Sequence, residues 1–353
     1  MTPDVPPWWA NPCRESVVWP ARIDPNGNDG PTRHQARRSH WRPTSHGLYV
    51  PADVEVTPEQ RIAEARPLLP RPFAAVTGWA ALRWLGSAWL DGSGRRPDEE
   101  LDVQLVTGGL HARPQQGFAI SEERLSWTDL IDVDGLRITR PVRSVCFLMR
   151  YAAGVREAVR ALDLAAYNDL VSIAEVRKYA DGLGGWTGMP QLRAALELAD
   201  ENAWSPREVD LRLIWELDAG LPRPLCNVPI FDLRGNLIGA PDVLDLEAGV
   251  VGEYDGALHL EGAQRTRDVR REALFRGHGL EYVTMLSSDL PDPSGVVGRI
   301  LAAHRRASRH DKGERTWTVQ PPAWWTPTLT VDQRRALTTS QRERFLSIRR
   351  RAA

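Results

Sequence analysis

Between residues 205 and 306 the spacing of apolar positions keeps changing, and each change predicts a different element. Val209, Leu213, Ile214 and Leu217 recur at three- and four-residue steps, the period of a helix with one buried face. Ser205 stands where an N-cap is needed, Pro206 takes the first helical position, and Glu208 completes a Ser-x-x-Glu box. Gly220 supplies the stop. Two short apolar runs follow, one through Pro241, Asp242, Val243 and Leu244, the other from Val250 to Gly256. Turn-prone residues 245–249 join them, which predicts a β-hairpin. Residues 264–277 read as a helix dense in arginine, 280–286 as another strand, and 294–306 as a closing helix.

Upstream the pattern is more varied. Residues 1–30 are rich in Pro, Asn and Gly and read as extended. Thr32 is placed to cap a short basic helix running through Arg38, and residues 41–50 read as a hairpin around Gly47. Thr57 and Pro58 open a helical stretch over 57–92, interrupted by prolines at 67–72, with an alanine-rich helix over 74–86. Residues 101–106, 118–120 and 136–138 are candidate strands of a modest β lobe. Val145, Leu148, Met149, Val155, Val159, Leu162 and Ala166 return to helical spacing, Ser172 and Glu175 form a second capping box, and 190–198 is a further helix. After a Pro- and Trp-containing coil, residues 330–351 read as one basic amphipathic helix with Leu337, Phe345 and Ile348 on one side. The expected organisation is an extended and hairpin-bearing segment (1–60), a mainly helical middle (61–200), a mixed domain (201–306) and a basic tail (307–353).

Candidate chemistry collects in the mixed domain. Side chains alternate on a strand, so Glu253 and Asp255 share a face with Val251 while Tyr254 points the other way. Two carboxylates beside a core need an ion pair or a cation to compensate them. Asp242, Glu253 and Asp255, with Glu208 from the helix, form the all-oxygen set that Mg²⁺ (or Mn²⁺) takes. The competing reading is a set of salt bridges to the arginine-rich helix, and the capping box alone would account for Glu208.

The order helix, hairpin, basic helix, strand resembles the core of the PD-(D/E)xK nuclease superfamily, and more narrowly its Vsr-like, DUF559-type bacterial endonuclease domains. The residues that carry the likeness are Glu208, Asp242, the run Glu253-Tyr254-Asp255-Gly256-Ala257-Leu258-His259, and Arg267-Asp268-Val269-Arg270-Arg271-Glu272 before Gly277. The resemblance implies a restriction-endonuclease-like mixed sheet, with Asp242 and Glu253 as metal ligands. It implies Glu208 and Asp255 as carboxylates that orient water, and Arg267, Arg270 and Arg271 on phosphate oxygens. The superfamily's Lys is absent and Asp255 stands in its place, so an Arg of the helix or His259 would have to supply the positive charge. In the N-terminal half, Trp41-Arg42, Gly47 and Tyr49-Val50, then Thr77 before a small-residue helix ending Leu85-Gly86, resemble AbiEi-type antitoxin proteins. That likeness covers only the end of a winged helix. The fold class expected is therefore α+β or α/β, with a partial winged helix ahead of the nuclease-like domain.

Composition limits the partners. A net charge of −1 and 26% charged residues exclude a uniformly basic nucleic-acid binder, so any DNA contact must be a local patch. Lys occurs only at positions 178 and 312, leaving the positive charge to Arg. Cys13, Cys146 and Cys226 match neither a zinc spacing nor a disulfide framework, which suits a reducing cytoplasm. No apolar run approaches the ~20 residues of a membrane span. The expectation is a cytoplasmic, metal-dependent endonuclease acting on DNA, in a defence or toxin–antitoxin setting. The alternative is an AbiEi-like DNA-binding regulator whose nuclease-type domain is an inactive scaffold. A protein partner or a homodimer stays open in either case.

Overall fold

A computed structural model describes residues 6–9, 11–70, 73–94, 96, 98–256, 263–309, 313 and 315–352. The fold is mixed α+β, with parallel and antiparallel pairing within its larger sheets. It divides into two compact units, Met1–Arg193 and Ala194–Ala353.

In the first unit, strands β1 (Ala21–Arg22), β2 (Trp41–Ser45) and β3 (Leu48–Pro51) form a small sheet in the order β1-β3-β2. Gly47, at φ 72°, makes the β2–β3 turn. The basic helix expected through Arg38 is only a 3₁₀ turn, Gln35–Arg37. Thr32 does accept the Gln35 N–H, but no residue of the turn is buried, so packing gives nothing to extend it.

Helix α1 (Pro58–Ala63) is capped by the Thr57 hydroxyl. The alanine-rich run begins as strand β4 (Ala75–Val76) before it turns helical as α2 (Gly78–Trp84). Strands β5 (Val103–Val106), β6 (Phe118–Ser121), β7 (Leu130–Val133) and β8 (Leu136–Thr139) complete a five-stranded sheet ordered β6-β5-β4-β8-β7. Strands β5, β6 and β8 fall where the alternation put a modest β lobe, and β4 and β7 enlarge it. Helices α3 (Pro141–Tyr151), α4 (Val155–Tyr167) and α5 (Ile173–Asp181) follow, and the division between units falls within α6 (Met189–Leu198).

The second unit is built on helix α7 (Pro206–Leu213), which widens into a π turn over Ile214–Asp218. Strands β9 (Leu225–Cys226), β10 (Ile230–Asp232), β11 (Leu237–Gly239), β12 (Val243–Asp245) and β13 (Val250–Asp255) come next. Helix α8 (Ala263–Gly277) then leads to strand β14 (Glu281–Leu286) and helix α9 (Ser294–Ala307). The β12–β13 turn is locally determined. Asp245 accepts the Ala248 and Gly249 N–H groups, each at 2.8 Å, through its side chain and its carbonyl respectively, and Gly249 takes φ 72°. Because β14 runs parallel to β13, the chain must cross over, and α8 is that crossover. Its end is a Schellman motif: Leu280 N–H reaches Phe275 O, Gly279 N–H reaches Arg276 O, and Gly279 has φ 80°.

The central sheet, ordered β14-β13-β12-β9, is covered on both faces. On one, Leu211, Trp215, Ile300 and Ala303 pack against Val243, Val250, Val283 and Met285. On the other, Phe275 of α8 packs with Leu244, Val251 and Tyr282. Burying each such side chain contributes about 1.5–3 kcal/mol. Residues read from the sequence as a tail belong to this unit. Strand β15 (Trp317–Thr318) joins a second sheet ordered β11-β10-β15, and Trp317 is buried beside Phe275. The single helix expected over 330–351 is two, α10 (Val331–Arg335) and α11 (Thr339–Ala352). Thr338 breaks it by accepting the Gln341 N–H as a new cap. Phe345 of α11 is buried against Trp204, with ring centroids 6.3 Å apart.

Candidate active site

The register of the β12–β13 pair prepares the site. Val243 lies opposite Gly252, so Asp242 falls beside Glu253 one step beyond the last pair. Asp242 Oδ2 accepts the Tyr254 N–H at 2.7 Å, which extends the ladder through a side chain. Gly252 leaves room for α7, because a Cβ there would stand 2.8 Å from Val243 and within 3.5 Å of Trp215 and Leu211. The absence of that one atom lets Leu211 and Trp215 close on the sheet.

Glu208 is buried. Its N–H reaches the Ser205 hydroxyl at 3.2 Å, but the carboxylate does not close the capping box on Ser205. Instead Oε2 accepts from Trp204 N–H and from Asn227 Nδ2, both at 2.7 Å. Asn227 also donates to Asn202 O at 2.8 Å, and it sits at φ 48°, a left-handed conformation that Asn tolerates. Neither contact is a capping interaction of the expected kind, so nothing local in the chain pointed to Asn227. Loss of hydration pushes the Glu208 carboxyl up, against these hydrogen bonds and the Arg349 charge.

Glu253 is held from two sides. Arg271 Nε donates to Oε1 at 2.6 Å, and the Tyr282 hydroxyl donates to Oε2 at 2.5 Å. Arg271 also donates through Nη2 to Ala240 O at 2.5 Å, which fixes it over the strand that leads into Asp242. Tyr282 lies opposite Val251 in the parallel register and therefore shares the face of Glu253. Its hydroxyl is driven to resist ionisation, first by burial and then by Glu253. The alternation of the 280–286 strand could have revealed this tyrosine.

Asp242 is the carboxylate that both of the others crowd. Desolvation, then Glu208, then Glu253 push its carboxyl well above the usual range, against the Tyr254 N–H and Arg271. Burial would lower the Arg271 pKa, but Glu253 and Asp242 outweigh it and raise it. The structure thus brings Glu208, Asp242, Glu253 and Arg271 together. Asp255 lies at the exposed end of β13 and Arg270 is exposed on α8. Arg267 belongs to α8 by its backbone, its side chain lying outside the described residues, as does the whole of His259.

Among the described residues no three His, Cys, Asp or Glu side chains stand in a ready metal-binding arrangement. The reason is visible in the hydrogen bonds: Glu253 faces Arg271 and Tyr282, and Glu208 faces Trp204 and Asn227. The donor chemistry still fits a hard divalent cation, because all three groups are oxygen ligands whose mutual repulsion a cation would relieve. Asp242 and Glu253 would hold it, with Glu253 dividing its charge between the ion and Arg271. Comparison with family models, with curated proteins and with solved structures finds no match for this chain.

Proposed function

We propose that the second unit is a divalent-cation-dependent endonuclease that hydrolyses phosphodiester bonds, with DNA the foremost substrate. The observation that supports this reading most is the crowding at Asp242. Three carboxylates, from α7, the residue before β12, and β13, converge, and the one in the middle is destabilised as an anion. A fold has no structural use for such repulsion, whereas a cation site is made from it. The helix–hairpin–helix–strand order with Glu208, Asp242 and Glu253 is also what the resemblance to the PD-(D/E)xK endonucleases implies.

Bound there, a divalent cation supplies Lewis acidity to the phosphoryl oxygen and neutralises charge on the leaving oxygen. Tyr282 and Arg271 fix the orientation of Glu253. Arg271 is also the fixed positive charge beside the acidic pair, the part that the superfamily gives to a Lys, and its guanidinium suits a phosphate oxygen. Asp255, exposed at the end of β13, would orient a water. Exposed Arg270 on α8 would contact the nucleic-acid backbone.

One observation favours a second reading, the AbiEi-like regulator with an inactive scaffold. The 2.6 Å bond from Arg271 to Glu253 is also the geometry of a structural ion pair. Purified protein incubated with supercoiled plasmid in Mg²⁺, Mn²⁺ or EDTA separates the two. Nicking is expected only with a divalent cation, and Glu253→Ala or Asp242→Ala should abolish it. Cleavage in EDTA, or full activity in both variants, would end the nuclease reading. A defence or toxin–antitoxin role is the setting we propose for such an activity.

A further inference from the structure

The first unit, taken by itself, holds a cavity of about 670 Å³ that the carboxylate site does not involve. Arg124, Lys178, Tyr179 and Trp186 line it with the hydroxyls of Ser126 and Thr128, and the rest of its wall is mostly apolar. A neighbouring cavity of about 350 Å³ shares Arg124 and Trp186 and reaches Glu123. Its frame is fixed locally. The Ser126–Asp129 capping box sets one wall, with Asp129 accepting the Ser126 N–H at 3.1 Å and the Tyr179 hydroxyl at 3.0 Å.

Charge behind this wall is unbalanced. Arg143 and Arg150, two turns apart on α3, have fully buried side chains, and each lies 2.6 Å from the single carboxylate of Glu123. Both guanidinium carbons lie over the Trp186 ring, at 5.5 and 5.0 Å from its centroid. Nε and Nη1 of Arg143 and Nε of Arg150 have no hydrogen-bond partner among the described residues. With Arg124 and Lys178 there are four cations around Trp186, against the carboxylates of Glu123, Asp129 and Glu175. Glu175 is already committed to the Ser172 N–H at 2.7 Å. Arg143 and Arg150 are the buried cations, and Arg124 and Lys178 are exposed ones that add positive charge at the cavity itself.

We infer that this cavity binds a small organic phosphate of the nucleoside monophosphate class. Arg124 and Lys178, with the Ser126 and Thr128 hydroxyls, take the phosphate, and the base lies along Trp186 and the apolar wall. Guanidinium and ammonium groups are the usual phosphate partners, and the field of Arg143 and Arg150 acts in the same direction. The volume is that of a small-molecule site, and an aromatic ring on its wall favours a ligand with a flat π-face over a bare anion.

The test uses the full chain in EDTA, so that no divalent cation can bring phosphate to the carboxylates of the other unit. AMP, GMP, CMP, UMP and inorganic phosphate are titrated by calorimetry, with tryptophan fluorescence as a second readout. At least one nucleotide should bind at least ~10-fold more tightly than inorganic phosphate. Arg124→Gln with Lys178→Gln should weaken it by at least ~10-fold without lowering the melt, since both residues are exposed. Each single variant should lose part of that affinity, and Asp242→Asn should bind as wild type does. The inference is overturned if no nucleotide binds below about 1 mM. Equal binding of inorganic phosphate, or undiminished binding by the double variant, overturns it as well.

Discussion

Replacing Asp242 by Asn removes one negative charge and little else. The amide oxygen can still accept the Tyr254 N–H that Asp242 Oδ2 accepts at 2.7 Å. Glu253 is the neighbour of Asp242 across the strands, where Cβ atoms are roughly 5 Å apart, and the two charges are taken at about that separation. At an effective dielectric constant of about 20, their repulsion is about 3 kcal/mol. Arg271, bonded to Glu253 at 2.6 Å, offsets about half of that, and a net gain of about 1–2 kcal/mol remains for the variant. For a unit of this size that is a rise of about 2–8 °C in melting temperature. The sign with pH follows from the raised Asp242 carboxyl. A carboxyl raised on folding favours the native state below its unfolded value, and that stability is lost as pH rises through the folded value. The advantage of the variant should therefore be absent near pH 3.5 and open as pH rises toward neutrality. The assay is a set of thermal melts from pH 3.5 to 8 in EDTA, repeated with millimolar Mg²⁺ or Mn²⁺. Wild type should gain about 2.7 kcal/mol at a cation concentration a hundred times its dissociation constant, and the variant should gain far less. A variant that melts several degrees lower in EDTA, beside a wild type indifferent to cations, would refute the reasoning and leave Asp242 as a structural partner.

Two further outcomes follow from the same structure. Arg271→Gln should destabilise the cation-free protein by about 1–2 kcal/mol, less than the 3–5 of a fully buried pair, because the Arg271 side chain is 35% exposed. It should also enlarge the stabilisation by Mg²⁺, and an unchanged cation response in melts would argue against a shared site. A fragment of residues 194–353 should unfold in one sharp transition, whereas 201–306 lacks Trp317 and Phe345 and should melt broadly. Equal sharpness and midpoint for the shorter fragment would show that the C-terminal elements add nothing to this core.

The sequence by itself determined the elements whose causes are local. Ser205 and Pro206 start α7, Asp245 and Gly249 turn the hairpin, and Gly279 ends α8, because each acts on backbone groups within a few residues. The alternation of β13 likewise placed Val251 and Glu253 on one face and Tyr254 on the other, as the two cores confirm. A local signal was also there to be read before β8, where Asp134 and Gly135, at φ 48° and 78°, make the turn from β7. Tertiary structure alone decided the rest. Ala75–Val76 is a strand because β5 and β8 flank it, although its composition is that of a helix. β15 and α11 fold because Trp317 and Phe345 find apolar partners far away in sequence. Glu208 abandons its capping box because Trp204 and Asn227 offer it two donors at 2.7 Å. Arg271 meets Glu253 because α8 lies across the sheet, where Phe275 stacks on Tyr282 and comes close to Gly239. No pattern along the chain encodes it, because side-chain packing across the sheet fixes where a crossover helix lies.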